Sequence, residues 1–290
     1  MSQALIQRIA AASKPLEPLP TSQAPQLQEL AGISVILFDI YGTLLISASG
    51  DVGTLLGDEA SQPMAETVRT VFSDKEEWAI PDADALTTRI RAAHAAAKGK
   101  GVEYPEVDIR DIWRDVLQTT GLKNPSRELC ERVALEYELR VNPVWPMPGL
   151  EAILMEVGQR QLRLGIVSNA QFYTPLLFPA LTKKTLEEWG FDADLCVWSW
   201  QCLEAKPSTG LFAKALDRLT DQGIAASHVL YVGNDMRNDI WPAATSGCRT
   251  ALFAGDARSL RLREEDPRVK DAKPDLIVTH LSQLLNCILP

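Results

Sequence analysis

The stretch ISVILFDIYGTLLISASGD, residues 33–51, is an apolar run that ends in one carboxylate, Asp39, with Tyr41, Gly42 and Thr43 close behind. A carboxylate there, backed by a glycine loop, can serve as a nucleophile, because the loop lets backbone N–H groups approach a substrate anion. Alone, the same aspartate reads as a helix N-cap. Three later stretches have the same character. Val167-Ser168-Asn169 offers a hydroxyl and an amide that can hydrogen-bond an oxyanion, although such a pair is also common in turns and caps. Glu204-Ala205-Lys206-Pro207 offers an ammonium that can neutralise nucleophile and substrate together; without such company it reads as a solvated lysine before a turn. In Gly233-Asn234-Asp235-Met236-Arg237-Asn238-Asp239, acid and amide side chains crowd one short loop. Asn234, Asp235 and Asp239 together suit a hard cation such as Mg²⁺, bound jointly with Asp39. The competing reading is a capping cluster before a helix at Ile240.

These groups need a scaffold, and the surrounding pattern supplies one. SVILF (34–38) is apolar without alternation, as in a strand buried on both faces of a parallel sheet. After Pro146 and Gly149 helical and strand patterns alternate. Helices are expected over 150–157, 176–189, 211–219 and 240–246, and strands over 162–168, around 196–200, over 228–233 and over 249–255. DLIVTH (275–280) is a sixth strand candidate with a closing helix after it. This rhythm predicts an α/β fold, a Rossmann-like three-layer core around a parallel sheet, in which ligands sit beyond the carboxyl ends of the strands.

Between Ser47 and Arg140 the pattern is helical throughout, with candidates at 63–72, 83–98, 109–117 and 127–139. The expected division is therefore a core of residues 33–46 and 147–290, with 47–146 as a smaller all-helical domain inserted after the first strand. Residues 1–32 are rich in Ala, Pro, Gln and Ser, and Pro15, Pro18, Pro20 and Pro25 preclude a long continuous helix, so an arm or partly ordered extension is expected.

Composition bounds the function. The net charge of −9 is spread along 290 residues, and neither a basic stripe nor a zinc-finger spacing occurs, which argues against nucleic-acid binding. Cys130, Cys196, Cys202, Cys248 and Cys287 are scattered and contain no C-x-x-C pair, so reduced thiols are expected. No apolar run is long enough to span a bilayer and the first residues lack the core of a signal peptide, so the expected location is the cytoplasm, with no membrane partner.

The four motifs, in this order and each at a strand end, resemble those of the haloacid dehalogenase superfamily, from roughly Ser34 onward, and the helical block matches that family's inserted cap. The resemblance implies a hydrolase with Asp39 as nucleophile and Lys206 as its charge partner. Tyr41, Gly42, Thr43, Ser168 and Asn169 would contact a small phosphorylated substrate. Mg²⁺ would be held by Asp39, the Tyr41 backbone carbonyl, Asp235 and Asp239. Two registers compete for the metal loop, one using Asn234 with Asp239 and the other Asp235 with Asp239. The second is preferred, because a carboxylate binds Mg²⁺ more strongly than an amide.

Tyr41 departs from the phosphatase pattern, in which the residue two after the nucleophile is an aspartate that protonates the leaving oxygen. A tyrosine there is typical of the family's 2-haloacid dehalogenases, which work without metal and hold the halide with a cap arginine. Arg69, Arg89 and Arg91 are the candidates, Trp78 is the available aromatic, and His94 is the one cap histidine. The leading expectation is a Mg²⁺-dependent phosphatase working through an aspartyl-phosphate on Asp39. A dehalogenase with an aspartyl ester on the same residue, and a poorly active family member that binds a ligand or partner, are the alternatives.

Overall fold

The computed structural model describes residues 2–49, 58–73 and 78–288. Six strands form one sheet in the order β5-β4-β1-β6-β7-β8, with every pairing parallel. They are β1 (Val35–Phe38), β4 (Arg163–Ser168), β5 (Phe191–Trp198), β6 (Val229–Gly233), β7 (Arg249–Phe253) and β8 (Leu276–Val278). All four β1 side chains are fully buried. Ile36 and Phe38 pack into one layer, while Val35 and Leu37 pack into the other with Val167, Phe212 and Tyr231. That is why the sequence shows no polar alternation at β1. The sheet reverses direction of growth at β1, since β4 lies on one side and β6 on the other. Such a switch point opens a crevice beyond the carboxyl ends.

Helices flank the sheet: α6 (Leu150–Gln159), α7 (Thr174–Thr182), α8 (Ser199–Cys202), α9 (Gly210–Thr220), α10 (Trp241–Thr245) and α11 (Gln283–Cys287). Two expected elements differ. The helix expected over 176–189 is α7 alone, because Lys183 adopts a left-handed φ of 65° and breaks it. The helix expected over 240–246 begins earlier, as a π-helical turn at Met236–Ile240 that Asp235 caps.

The chain leaves and re-enters this core through a short antiparallel ribbon, β2 (Leu45–Ser47) with β3 (Val144–Pro146), which sequence reading did not foresee. Between them lie α2 (Asp58–Val71), α3 (Ala85–Lys98), α4 (Ile109–Thr119) and α5 (Arg127–Val141). Asp108 and Ser126 cap α4 and α5 through their side chains, and Ile112, Trp113, Val116 and Leu117 form the buried face of α4. Among the described residues of the block no strand occurs beyond the ribbon.

The segment expected as an arm lies on the body. Its helix α1 (Ser2–Ala12) buries Leu5 and Ile9 and contacts α5 and α7, and Arg8 pairs with Glu136 of α5. Farther on, Leu19 N–H donates to Asp256 at 3.0 Å and Gln26 bridges Ile277. Two apolar residues four apart make too short a stripe for sequence to announce this docking. All five cysteines are free, and no described helix is long and apolar enough to cross a membrane.

Candidate active site

The four polar stretches converge, three at strand ends and Lys206 in the loop after α8. Asp39 continues β1, its N–H donating to Val232 at 2.9 Å, and the residue is 7% exposed. Gly42 turns the chain behind it with φ +81°; a Cβ there would stand 2.5 Å from Ser259 Cβ and 2.7 Å from Asn234 Nδ2, so only glycine fits. Ser168, at the end of β4, donates its hydroxyl to Asp39 Oδ1 at 2.9 Å. Lys206 Nζ donates to the same oxygen at 2.6 Å, to Asp239 Oδ1 at 2.5 Å and to Tyr231 Oη at 2.9 Å. Asn169 fixes the lysine's backbone, accepting from Lys206 N–H at 2.7 Å and donating to its carbonyl at 3.2 Å.

The electrostatics follow from burial. Burial by itself would lower the Lys206 pKa, but Asp239 and Asp39 together raise it, so the ammonium is charged. Asp239 is pushed up to about 6, first by burial and against the opposing pull of Lys206, because two carboxylates share one cation. Its second oxygen accepts from the N–H groups of Asn234 and Asp235 at 3.0 and 2.9 Å.

In the metal loop Asn234 and Asp235 both line the cavity but are bonded differently. Asp235 Oδ1 accepts from the N–H groups of Arg237 and Asn238 at 2.8 and 3.1 Å, and its Oδ2 meets Arg263 Nη2 at 2.6 Å. Asn234 instead accepts from Thr43 Oγ1 at 3.1 Å, donates to the Ser259 carbonyl at 2.6 Å, and lines the cavity together with Asp39. Both residues thus stand at the cavity, the amide bonded to Thr43 and Ser259 and the carboxylate engaged by Arg263.

A cavity of about 450 Å³ opens here. From the sheet side it is lined by Asp39, Tyr41, Asn169, Lys206, Asn234, Asp235 and Asp239, and from the helical block by Arg91, His94, Glu106, Trp113, Tyr137 and Glu138. Ser168, Gly42 and Thr43 are not in the lining but touch it, Ser168 bonded to Asp39, Thr43 to Asn234, and Gly42 close against Asn234 and Ser259. Arg69 and Arg89 are exposed outside the lining, and Trp78 packs on Phe72 with centroids 4.0 Å apart. Tyr41 does line the cavity, its hydroxyl 2.8 Å from Thr174 Oγ1, and burial pushes its pKa far up, so it remains a neutral phenol.

Several contributors escaped the sequence reading. Gln171 clamps the helical block to the core, donating to the Val107 carbonyl at 2.9 Å and accepting from Ile109 N–H at 3.0 Å. Tyr104 O accepts from Ala205 N–H at 2.8 Å, which ties the block to the residue beside Lys206. Glu106 accepts from Ser199 Oγ at 2.9 Å, and Glu138 accepts from Asn142 Nδ2 at 3.2 Å and from the Tyr173 hydroxyl; burial raises the pKa of both acids. Glu138 sits on α5, whose facing sequence alone leaves open, and Tyr104, Glu106 and Gln171 lie in loops with no periodic signal.

Comparison with known proteins gives a consistent picture. A family model described as haloacid dehalogenase-like hydrolase matches residues 33–247. A phosphoglycolate phosphatase of Photorhabdus laumondii is 26% identical over 265 residues, covering 89% of this chain and 94% of that protein. The crystal structure of a 2-haloacid dehalogenase from Pseudomonas syringae pv. Tomato matches with a TM-score of 0.55 at 20% identity, covering 88% of this chain and 97% of that one. At that identity the likeness is one of fold. A HAD phosphatase from Thermococcus onnurineus matches with a TM-score of 0.48 at 18% identity, covering 88% and 97%.

Proposed function

This chain belongs to the haloacid dehalogenase-like hydrolases, and from that premise we propose that it is a Mg²⁺-dependent phosphatase of a small phosphorylated metabolite, working through an aspartyl-phosphate on Asp39. The observation that carries the reading is the set of hard oxygen donors around the nucleophile: Asp39 and Asn234 line one cavity while Lys206 ties Asp39 to Asp239. The sequence relative that is a phosphoglycolate phosphatase supports the same bond type.

The donor set fits the metal. Among the described residues no three carboxylate, histidine or cysteine side chains close on one point. A cation held by Asp39, Asn234 and the Tyr41 carbonyl would therefore keep several waters and take substrate oxygens, which is the usual habit of Mg²⁺. When bound, it supplies charge neutralisation for the transferring phosphoryl group. The protein's own groups do the rest. Lys206 and Ser168 fix one oxygen of Asp39, leaving the other to attack phosphorus. The Asp39–phosphorus bond forms as the bond to the leaving oxygen breaks, and water then releases phosphate from Asp39. Tyr41, a phenol bonded to Thr174 whose pKa burial pushes far up, is a weak proton donor, so substrates whose leaving group departs as a stable anion suit this site.

Tyr41 at the position of the usual acid, with Arg91 on the cavity wall, favours dehalogenation as a second reading. Two assays separate them. Release of phosphate from an aryl phosphate with Mg²⁺, abolished by EDTA, is expected. Chloride release from 2-chloropropionate without metal would replace the phosphatase reading with the dehalogenase one, and silence in both assays would favour a ligand-binding role.

A further inference from the structure

The inserted helical block is fastened to the sheet core unevenly. α5 is held from outside by α1, which packs on α7 of the core, and the buried Glu136 carboxylate is shared between Arg8 of α1 and Arg140 of α5. Arg140 also donates to Thr70 Oγ1 at 2.7 Å, which joins α2 to α5. The segment leading into α4 is stitched to the core. Besides the bonds of Tyr104 and Gln171, Glu106 N–H donates to the Leu203 carbonyl at 3.1 Å and Pro105 bridges Glu204. Arg110, in the first turn of α4, lays its guanidinium over Phe172 and Trp200 of the core, 4.8 and 4.5 Å from the ring centroids.

α3 is held more lightly. Its one substantial neighbour among the described elements is α4. It buries two residues, Leu86 and Thr87, against five in α4 and seven in α5. Six of its 14 residues are alanine, and each alanine buries little apolar area. Yet Leu86, Thr87, Ile90, Arg91 and His94 all line the cavity. Between α3 and the stitched segment comes Gly99-Lys100-Gly101. Gly101 has φ +92° and no heavy atom within 4 Å of an added Cβ, so the backbone there is permissive and unobstructed. Segments with few buried apolar contacts open at the lowest free-energy cost, and hinges absorb the change at a few, often small, loop residues.

We propose that the block is mechanically divided: α2, α4 and α5 belong with the sheet core, and α3 is the lid of the cavity, swinging on Gly99–Gly101. This holds whichever bond Asp39 attacks, because it concerns access to the cavity and not the reaction inside it.

Native-state hydrogen exchange of the wild-type protein tests the division. Amides of α3 are expected to exchange about 100-fold or more faster than those of α4 and α5. One common rate for α3, α4 and α5 would show the block opening as a single body and would overturn the proposal. The gating role has its own test. Ala205 lines the cavity and keeps accessible surface, so Ala205→Cys reports access through its rate of labelling by a thiol reagent, read as the label gained over the parent protein. Gly99 sits at a helical φ of −61°, and an added Cβ would come no nearer than 3.5 Å to its neighbours, so Gly99→Ala stiffens the hinge without strain. In the Ala205→Cys background it should slow both α3 exchange and Cys labelling by about fivefold, the factor that separates alanine from glycine in a helix. Labelling that keeps its rate while α3 exchange slows would show that the cavity fills by another route. A hinge variant that slows neither would place the pivot elsewhere, and either result overturns the lid.

Discussion

Asp39 and Lys206, 167 residues apart in the chain, meet at 2.6 Å. The same ammonium lies 2.5 Å from Asp239, so one buried cation holds two buried carboxylates. Removing one partner of such a group leaves the others uncompensated. Lys206→Met is expected to lose about 3–5 kcal/mol of stability at pH 7.5, measured by urea unfolding. Asp239, already raised to about 6, would rise further without the ammonium. A raised carboxyl stabilises the fold below its unfolded pKa, and that contribution is lost as pH climbs through the folded value. The deficit of the variant should therefore shrink between pH 7.5 and pH 5; a constant deficit would show that the two carboxylates carry no mutual strain.

Asp39→Asn changes almost no volume and removes the attacking oxygen. Turnover should drop by about 10⁴-fold or more, with the near-ultraviolet circular dichroism of the wild type preserved. Retention of a tenth of the wild-type rate would rule out a covalent intermediate on Asp39.

The metal loop offers a clean contrast between neighbours. Asn234 and Asp235 both line the cavity with Asp39, but the Asp235 carboxylate is already bonded to Arg263 at 2.6 Å. Asn234→Ala should raise the Mg²⁺ concentration for half-maximal activation by about tenfold or more, by analogy with lost metal-site partners. Asp235→Asn should shift that concentration far less and lower the melting temperature instead, since it weakens a cap and an ion pair. The reverse pattern in the Mg²⁺ titration would move the ligand to Asp235.

Glu138 sits among Tyr41, Tyr173 and Asn142, and burial raises its pKa from the ordinary 4.5. Its neutral form is favoured in the fold, so its contribution is present below pH 4.5 and lost as pH rises through the folded value. Glu138→Gln, neutral at every pH and able to keep the bond from Asn142, should melt higher than wild type at pH 7.5. The gain should vanish below pH 4.5. Thermal unfolding at the two pH values checks this, and an equal gain at both would remove ionisation as its cause.

Gly42 and Gly121 both adopt left-handed φ, +81° and +88°, but only the first is crowded. Gly121→Ala, with no heavy atom within 4 Å of the added Cβ, should cost about 1 kcal/mol for conformation alone. Gly42→Ala must also push aside Ser259 and Asn234, adding about 1–3 kcal/mol and lowering kcat through the displaced amide. Chemical denaturation of the pair isolates the steric part.

How much of this could be read from the chain depends on where the information lies. β1 announced itself because VILF is buried on both faces, and the four motifs are contiguous strings at strand ends. The direction of the Asp235 carboxylate was not legible, since it is decided by Arg263, a residue on a separate loop with φ +55° and no periodic signal. The break at Lys183 was hidden for a similar reason, because nothing in TKKT marks a left-handed lysine. Trp113 was expected within a helix, yet only tertiary packing shows its buried N–H to lack a partner.

The central place of β1 also has a consequence for synthesis. Val35 pairs with Arg163 on one side and with Val229 on the other, so the strand that carries Asp39 has no sheet partner nearby in the chain. At ribosomal rates of about 5–20 residues per second, the interval between the emergence of β1 and of β6 is on the order of ten seconds or more. Both hydrogen-bonding edges of the fully apolar VILF are open until β4 emerges, and the edge that β6 will cover stays open throughout. Newly made chains should accordingly be most prone to aggregate, and most dependent on chaperones, in the window before residue 233 is free.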